Sequence, residues 1–446
     1  MVPSRWQFLV LPFASSLIRA AEAYTLFVTN CSVPATLANF VTSPNTRGTI
    51  DLLWSSLLTL VACTWTIQHP NVPEQHEGLV ERRANFLKAV KDCLNDAKWM
   101  ICTILAPEVI ITAATHDFVS ARNTHKRLLS IANSKDKVNW TITHTYFANM
   151  GGFVLRGITQ RGEDESNPPN KPYHLTAYSM IILRDGGFIP RLPDIRTEDI
   201  KDRCKDDMFV KAIALAQILW ASSQAVVRAI RGLTTSPLEV AVLGFAACAV
   251  AIYILYWEKP KGPRSVITIE HWPDRRDIFD VLSAQIEEEE EGMSIVNQLL
   301  LVAEFFPMRK PGSPFSLDHV RLEEDTRLPA FFAVMLGAVL FGAVHLGARN
   351  RPFPTTAELI LWRCASLCTT AYGLLLAGIR SYSVHRWMRG DAPEWSMITI
   401  GLITITATYI YLLFRLVILV EIFRSLFFMP PDAFVATWTS NLPHLG

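Results

Sequence analysis

The chain has 446 residues, of which 50% are hydrophobic and only 19% charged, against about 25% charged in ordinary soluble domains. A formal net charge of +1 leaves no dominant basic surface, so DNA and RNA are set aside as partners. Mean hydropathy is positive, and the lipid bilayer is the expected environment.

Residues 1–23 join Arg5, an apolar run from Trp6 to Ile18, and Ala21 and Ala23 in an A-x-A arrangement, which predicts a cleaved secretory signal and a lumenal segment over 24–49. Two sequons, Asn30-Cys31-Ser32 and Asn139-Trp140-Thr141, make Asn30 and Asn139 candidate glycosylation sites.

With about 17 to 25 apolar residues needed per crossing, the candidates lie at 50–68, 99–115, 209–227, 238–257, 329–347, 356–379 and 396–429. The expected fold is therefore an all-α, multi-pass bundle of about seven spans. Its divisions are helices 1 and 2 over 50–115, a polar insertion over 116–208, helices 3 and 4 over 209–257, an acidic insertion over 258–328, helices 5 to 7 over 329–429 and a tail over 430–446. The third candidate carries a polar stripe, Lys211, Gln217, Gln224, Arg228 and Arg231, and reads equally as an interfacial helix. The last is longer than a bilayer requires, and its charges Arg415, Glu421 and Arg424 are expected beyond the hydrocarbon, with Glu421 and Arg424 paired one turn apart.

In the first insertion, YHLTAYSMIILRDGGFIP reads as a β-prone run entering a turn at Asp185-Gly186-Gly187. In the second, Glu287 to Glu291 form a solvated acidic run beside an amphipathic stretch, Ile295 to Phe306. Seven crossings after a cleaved signal put 68–98, with Arg82, Arg83, Lys88, Lys91 and Lys98, in the cytosol, as the positive-inside tendency asks. The same count puts Arg380, Arg386 and Arg389 in the lumen, against that tendency.

The candidate chemistry is intramembrane. Asp51, Ser55, Thr59, Ala62, Thr66 and His69 recur at helical spacing and form a polar ladder down one face, with Asp51 at its top. Glu108 follows Pro107 inside WMICTILAPEVIITAAT, where the proline opens the helix and a buried acid can hold or donate a proton. Arg363 in LILWRCASLCTT needs a partner or a route to the surface, and Glu108 is a candidate partner. His345, in LGAVLFGAVHLGA, reads as a packing residue among small side chains. Asp51, Glu108 and Arg363 are the candidate cavity residues, with Glu108 and Asp51 the candidate proton donors. His116, Asp117 and His125 are too loosely spaced for a metal site and read as solvent-exposed.

The eight cysteines form no CxxC pair and imply no disulfide framework, although Cys31 and Cys204 could meet in the lumen. Phosphate-loop, HExxH, GxSxG and dinucleotide motifs do not occur in the sequence, so no cofactor or metal is expected.

Several blocks, RGTIDLLWSSLLTLVACTWTIQHPNVP, AKWMICTILAPEVI, FANMGGFVL, IKDRCKDDMFVK and FRSLFFMPPDAF, resemble a family of uncharacterised polytopic membrane proteins from filamentous fungi. The resemblance implies an endomembrane protein that begins with a signal-like segment and ends in helices. Where similar proteins carry a DKSK-like run, this chain has Asp202-Arg203-Cys204-Lys205. The expected role is a carrier or receptor for a small apolar or amphipathic molecule, in the endomembrane system or the plasma membrane. The alternatives are a membrane-embedded enzyme of lipid, isoprenoid or secondary-metabolite biosynthesis and a membrane scaffold.

Overall fold

A computed structural model describes residues 46–73, 82–132, 136, 138–155, 173–189, 191–204, 208–269, 324–349, 353–388 and 394–438. The expected signal, Asn30, Cys31, the acidic run and the stretch 295–306 lie outside them. Helices dominate: α1 (Thr49–Thr66), α2 (Arg82–Leu105), α3 (Pro107–Ala132), α4 (Ile142–Asn149), α5 (Ala177–Asp185), α6 (Thr197–Asp202), α7 (Met208–Ile230), α8 (Pro237–Leu255), α9 (Glu324–Gly347), α10 (Thr356–Met388) and α11 (Glu394–Arg424). Among the described residues three short strands, β1 (Phe153–Leu155), β2 (Tyr173–Leu175) and β3 (Ile267–Thr268), form one sheet in the order β2-β1-β3.

Among the described residues, five helical stretches are long and apolar enough to cross a bilayer: Thr49–Thr66, Lys211–Ile230, Pro237–Leu255, Thr356–Ile379 and Thr399–Phe427. A shorter apolar stretch, Phe332–Gly347, lies in α9. The expected second span is two pieces, Asp96–Leu105 and Pro107–Ile131, bent at 111°. The bend falls where Pro107 removes the amide that would continue the ladder.

The polar ladder of α1 faces inward. Thr59 and Thr66 are fully buried and Ser55 and His69 nearly so, and the hydroxyls donate back along the helix, Ser55 to Asp51 O at 2.6 Å, Thr59 to Ser55 O at 2.7 Å and Thr66 to Ala62 O at 2.6 Å. Such back-bonding satisfies a hydroxyl without a neighbouring helix. The stripe on α7 meets this face: Thr59 also donates to Gln217 at 3.1 Å. Further along α7, Gln224 accepts from Thr437 at 3.1 Å. Arg228 is fully buried and donates to the carbonyls of Thr234, Asp432, Ala433 and Val435 at 2.5 to 3.1 Å. Gln217, Gln224 and Arg228 are thus interior contacts, and another face of α7, with Phe209, Leu215, Leu219 and Val226, is exposed and apolar.

The sheet belongs to a cap with its own core, in which Leu128 of α3 packs with Phe147, Phe153, Leu175, Met180 and Leu183. Here the sequence expectation needs correction. The β-prone run is a strand only at Tyr173–Leu175, and the residues after it form α5. Thr176 caps α5 by accepting from Ser179 N at 2.9 Å, and the helical spacing buries Ala177, Met180, Ile181 and Leu183; packing and a cap override strand propensity. Gly187 (φ +76°) then turns the chain in the left-handed conformation that glycine adopts without penalty. The third strand was not legible in sequence: β3 pairs parallel to β1, Phe153 opposite Ile267, across more than a hundred residues.

Candidate functional site

The helix break at Ala106 and Pro107 builds a buried polar point within the bundle. Ending α2 at Leu105 leaves its last carbonyls without amide partners, and starting α3 at Pro107 leaves amides free. The broken ends therefore present a partial negative and a partial positive pole close together. Arg415 of α11 answers the first, donating from Nε to Leu105 O at 2.7 Å and from Nη2 to Ile104 O at 2.8 Å. Glu108, in the first turn of α3, answers the second. The Tyr411 hydroxyl joins the two, donating to Leu105 O at 3.1 Å and to the Glu108 carboxylate.

The surroundings exclude water from this trio. Glu108, Tyr411 and Arg415 are 4%, 4% and 2% exposed. Arg415 lies over the Phe341 ring at 3.9 Å, which is within the range of a favourable cation–π contact. Tyr372 stacks on Tyr411 at 4.3 Å and shares a 2.9 Å hydrogen bond with Thr408. Gly337 of α9 closes the remaining side, since a Cβ there would sit 2.9 Å from Glu108 Cβ; only glycine permits this approach. His345, fully buried, stacks on Phe341 at 4.3 Å and bonds through Nδ1 to Phe341 O at 2.8 Å. Its Nε2 has no hydrogen-bond partner among the described residues.

The expected trio of Asp51, Glu108 and Arg363 does not assemble. Asp51 is exposed and closes the start of α1, accepting from Gly48 N at 2.8 Å. Arg363 is exposed and donates to Arg349 O at 2.9 Å, so it reaches the surface, and the Glu108 carboxylate accepts from Tyr411 instead, with Arg415 on the adjoining carbonyls. Arg415 was expected outside the apolar core and is inside it. A lone arginine in YIYLLFRLVILV was the available signal, because such a group demands a buried partner. Arg424 also departs from expectation, pairing with Glu358 of α10 at 2.6 Å rather than with Glu421, whose Oε2 lacks a partner among the described residues.

A second polar cluster joins the cap to the bundle. His116 is buried, not solvent-exposed, and its neighbour Asp117 accepts from Lys259 at 2.5 Å and from the Tyr256 hydroxyl at 3.0 Å. His69 packs on Tyr256 at 4.8 Å. Within the cap, Asp136 accepts two bonds from Arg184, at 3.0 and 2.7 Å, and one from Leu192 N at 3.0 Å, and the Arg184 bonds hold its carboxyl below the usual range. Asn139 is exposed, immediately before buried Trp140. Cys204 donates from Sγ to Ile200 O at 3.0 Å.

Comparison with curated proteins finds no match, and comparison with solved structures finds none. A family of unknown function (DUF8562) matches residues 20–293, which include the broken helix pair, the cap and α8 but end before α11 and its Arg415 and Tyr411. The match covers more than half of the chain, and the protein belongs to that family.

Proposed function

We propose that the protein is an integral membrane protein and that the helix break carrying Glu108 is its working centre, acting as a carrier or receptor for a small apolar or amphipathic molecule. The observation that carries the reading is the pairing of a discontinuous helix with a buried acid and a buried arginine from a distant helix. Discontinuous helices build binding sites in membrane carriers because their ends supply partial charges inside an apolar medium. Ionisable residues held at such depth are costly and mark functional positions. In this conformation Arg415 occupies the carbonyl pole and Tyr411 the carboxylate, so a ligand with a polar end engages Glu108 by displacing one of them.

The test is removal of the protein from its host followed by restoration with wild type or Glu108→Gln, reading lipid-soluble metabolites inside and outside the cell. A carrier predicts a changed distribution that wild type restores and Glu108→Gln does not. Loss of one compound with build-up of its precursor would favour the alternative, a membrane-embedded enzyme using Glu108 as proton donor. Full restoration by Glu108→Gln, with an unchanged amount of protein, would remove Glu108 from either role.

A further inference from the structure

A helix pair broken in its middle either crosses a bilayer once or dips in and returns, and the contacts at three depths decide between these. At one end of the bundle, Gln68, just past α1, donates to Asp96 O of α2 at 3.4 Å, and Asp117 of α3 meets Tyr256 and Lys259, just past α8. Lys261 donates to Thr66 O at 3.0 Å, and Val72 N to Met150 O of the cap at 3.1 Å. Asp96 of α2 and Asp117 of α3 therefore share one level with the ends of α1 and α8 and with the cap. At the apex, Glu108 and Leu105 meet Tyr411 and Arg415, which flank the middle of the apolar stretch Thr399–Phe427.

The lengths agree. Asp96 to Leu105 and Glu108 to Asp117 are equal arms of about 13.5 Å at 1.5 Å per residue, roughly half of a ~30 Å hydrocarbon core. A change of direction of 111°, beyond a right angle, carries α3 back toward the face from which α2 came. At the opposite face, Thr46 bridges Val435, Arg47 pairs with Glu239 at 2.5 Å, and Arg424 pairs with Glu358.

From this geometry we infer that α2 and α3 form a re-entrant hairpin with Glu108 at its mid-membrane apex, and that the cap and both arms lie on the cytosolic face. The inference rests on the membrane reading above. The chain then crosses six times, through α1, α7, α8, α9, α10 and α11, and residues 46 and 435 share the non-cytosolic face. A separate observation supports the orientation. With seven crossings, the basic residues of 82–98 and those of 380–389 fall on opposite sides. With a hairpin, Arg82, Arg83, Lys88, Lys91 and Lys98 share a face with Arg380 and Arg386, and the positive-inside tendency is met by both segments at once. Asn139 is then cytosolic and carries no glycan.

The test uses the full chain in sealed microsomes with the cytosolic face outward. Resistance to carbonate extraction checks the membrane reading, and release by carbonate would overturn that reading rather than the hairpin. In a background without the other cysteines, native Cys93 on α2 and Lys126→Cys on α3 are both expected to react with an impermeant maleimide without detergent, and Thr46→Cys only after permeabilisation. Protection of one of Cys93 and Lys126→Cys with labelling of the other would make the pair a crossing and overturn the hairpin. Protection of both would overturn the cytosolic assignment. Independently of any cysteine variant, Asn139→Gln is expected to leave the glycosidase-sensitive mobility of the wild-type chain unchanged; a shift lost in that variant would overturn the assignment.

Discussion

Arg415 is the residue on which the broken helix depends most directly. Its guanidinium satisfies two carbonyls that no amide reaches, and it supplies the positive charge nearest Glu108 in the trio. Removing one member of a buried charged set leaves the others uncompensated, at about 3–5 kcal/mol. Arg415→Met is therefore expected to lower the unfolding midpoint of the detergent-solubilised protein strongly, and Glu108→Gln less. The combined variant is expected to lose less than the sum of the two, because each single change removes the same charge–charge attraction. Additive losses in thermal melts would mean that the acid and the arginine act apart. Tyr411→Phe is a gentler probe: it removes one hydroxyl bonded to both Glu108 and Leu105 O, with an expected cost of about 1–3 kcal/mol.

At the scale of elements, the cap is a small domain held by a few polar anchors. His144 is fully buried and works as a neutral ring: Nδ1 accepts from Thr141 N at 3.2 Å and Nε2 donates to Ile195 O at 2.8 Å. Burial holds its pKa below the ordinary value of 6.5, so the folded cap resists a proton that the unfolded chain takes up. Its contribution is complete above about pH 6.5 and is lost as pH falls toward the depressed folded value, by at most about 1.4 kcal/mol per pH unit. Protection factors over 141–155 and 173–189, with the intrinsic pH dependence of amide exchange divided out, are expected to fall between pH 7.5 and 5.5, and to do so less in His144→Gln. Asp136→Asn removes the ion pair to Arg184 and is expected to loosen the same segments at both pH values. Thr176→Ala removes the cap of α5, at about 1 kcal/mol.

On the scale of the molecule, α7 and the segment after α11 lock the two ends of the described chain together. Arg228 holds the carbonyls of 432–435, Asp432 accepts from Thr234 N at 2.8 Å, and Arg47 donates to Ala433 O at 2.9 Å. Arg228→Leu is expected to free this segment, seen as faster limited proteolysis near 432–435, while exchange in the cap stays unchanged.

Much of this architecture is legible in the sequence, because hydropathy and helical spacing are local properties. Apolar length marks the five longest stretches, the three- and four-residue steps from Ser55 to His69 mark an inward face, and Pro107 marks a break. Periodicity also gives the inward side of α7, although its polar stripe reads equally as interfacial until Thr59 and Thr437 are seen to meet it. The sequence alone determines that Glu108 sits in apolar surroundings beside a helix breaker. It does not determine what Glu108 meets, since Tyr411 is 303 residues away, nor which way the chain leaves the break, since proline removes a bond without choosing a direction. Tertiary structure decides both, because only packing against α9 and α11 turns α3 back and delivers a tyrosine and an arginine to the broken ends.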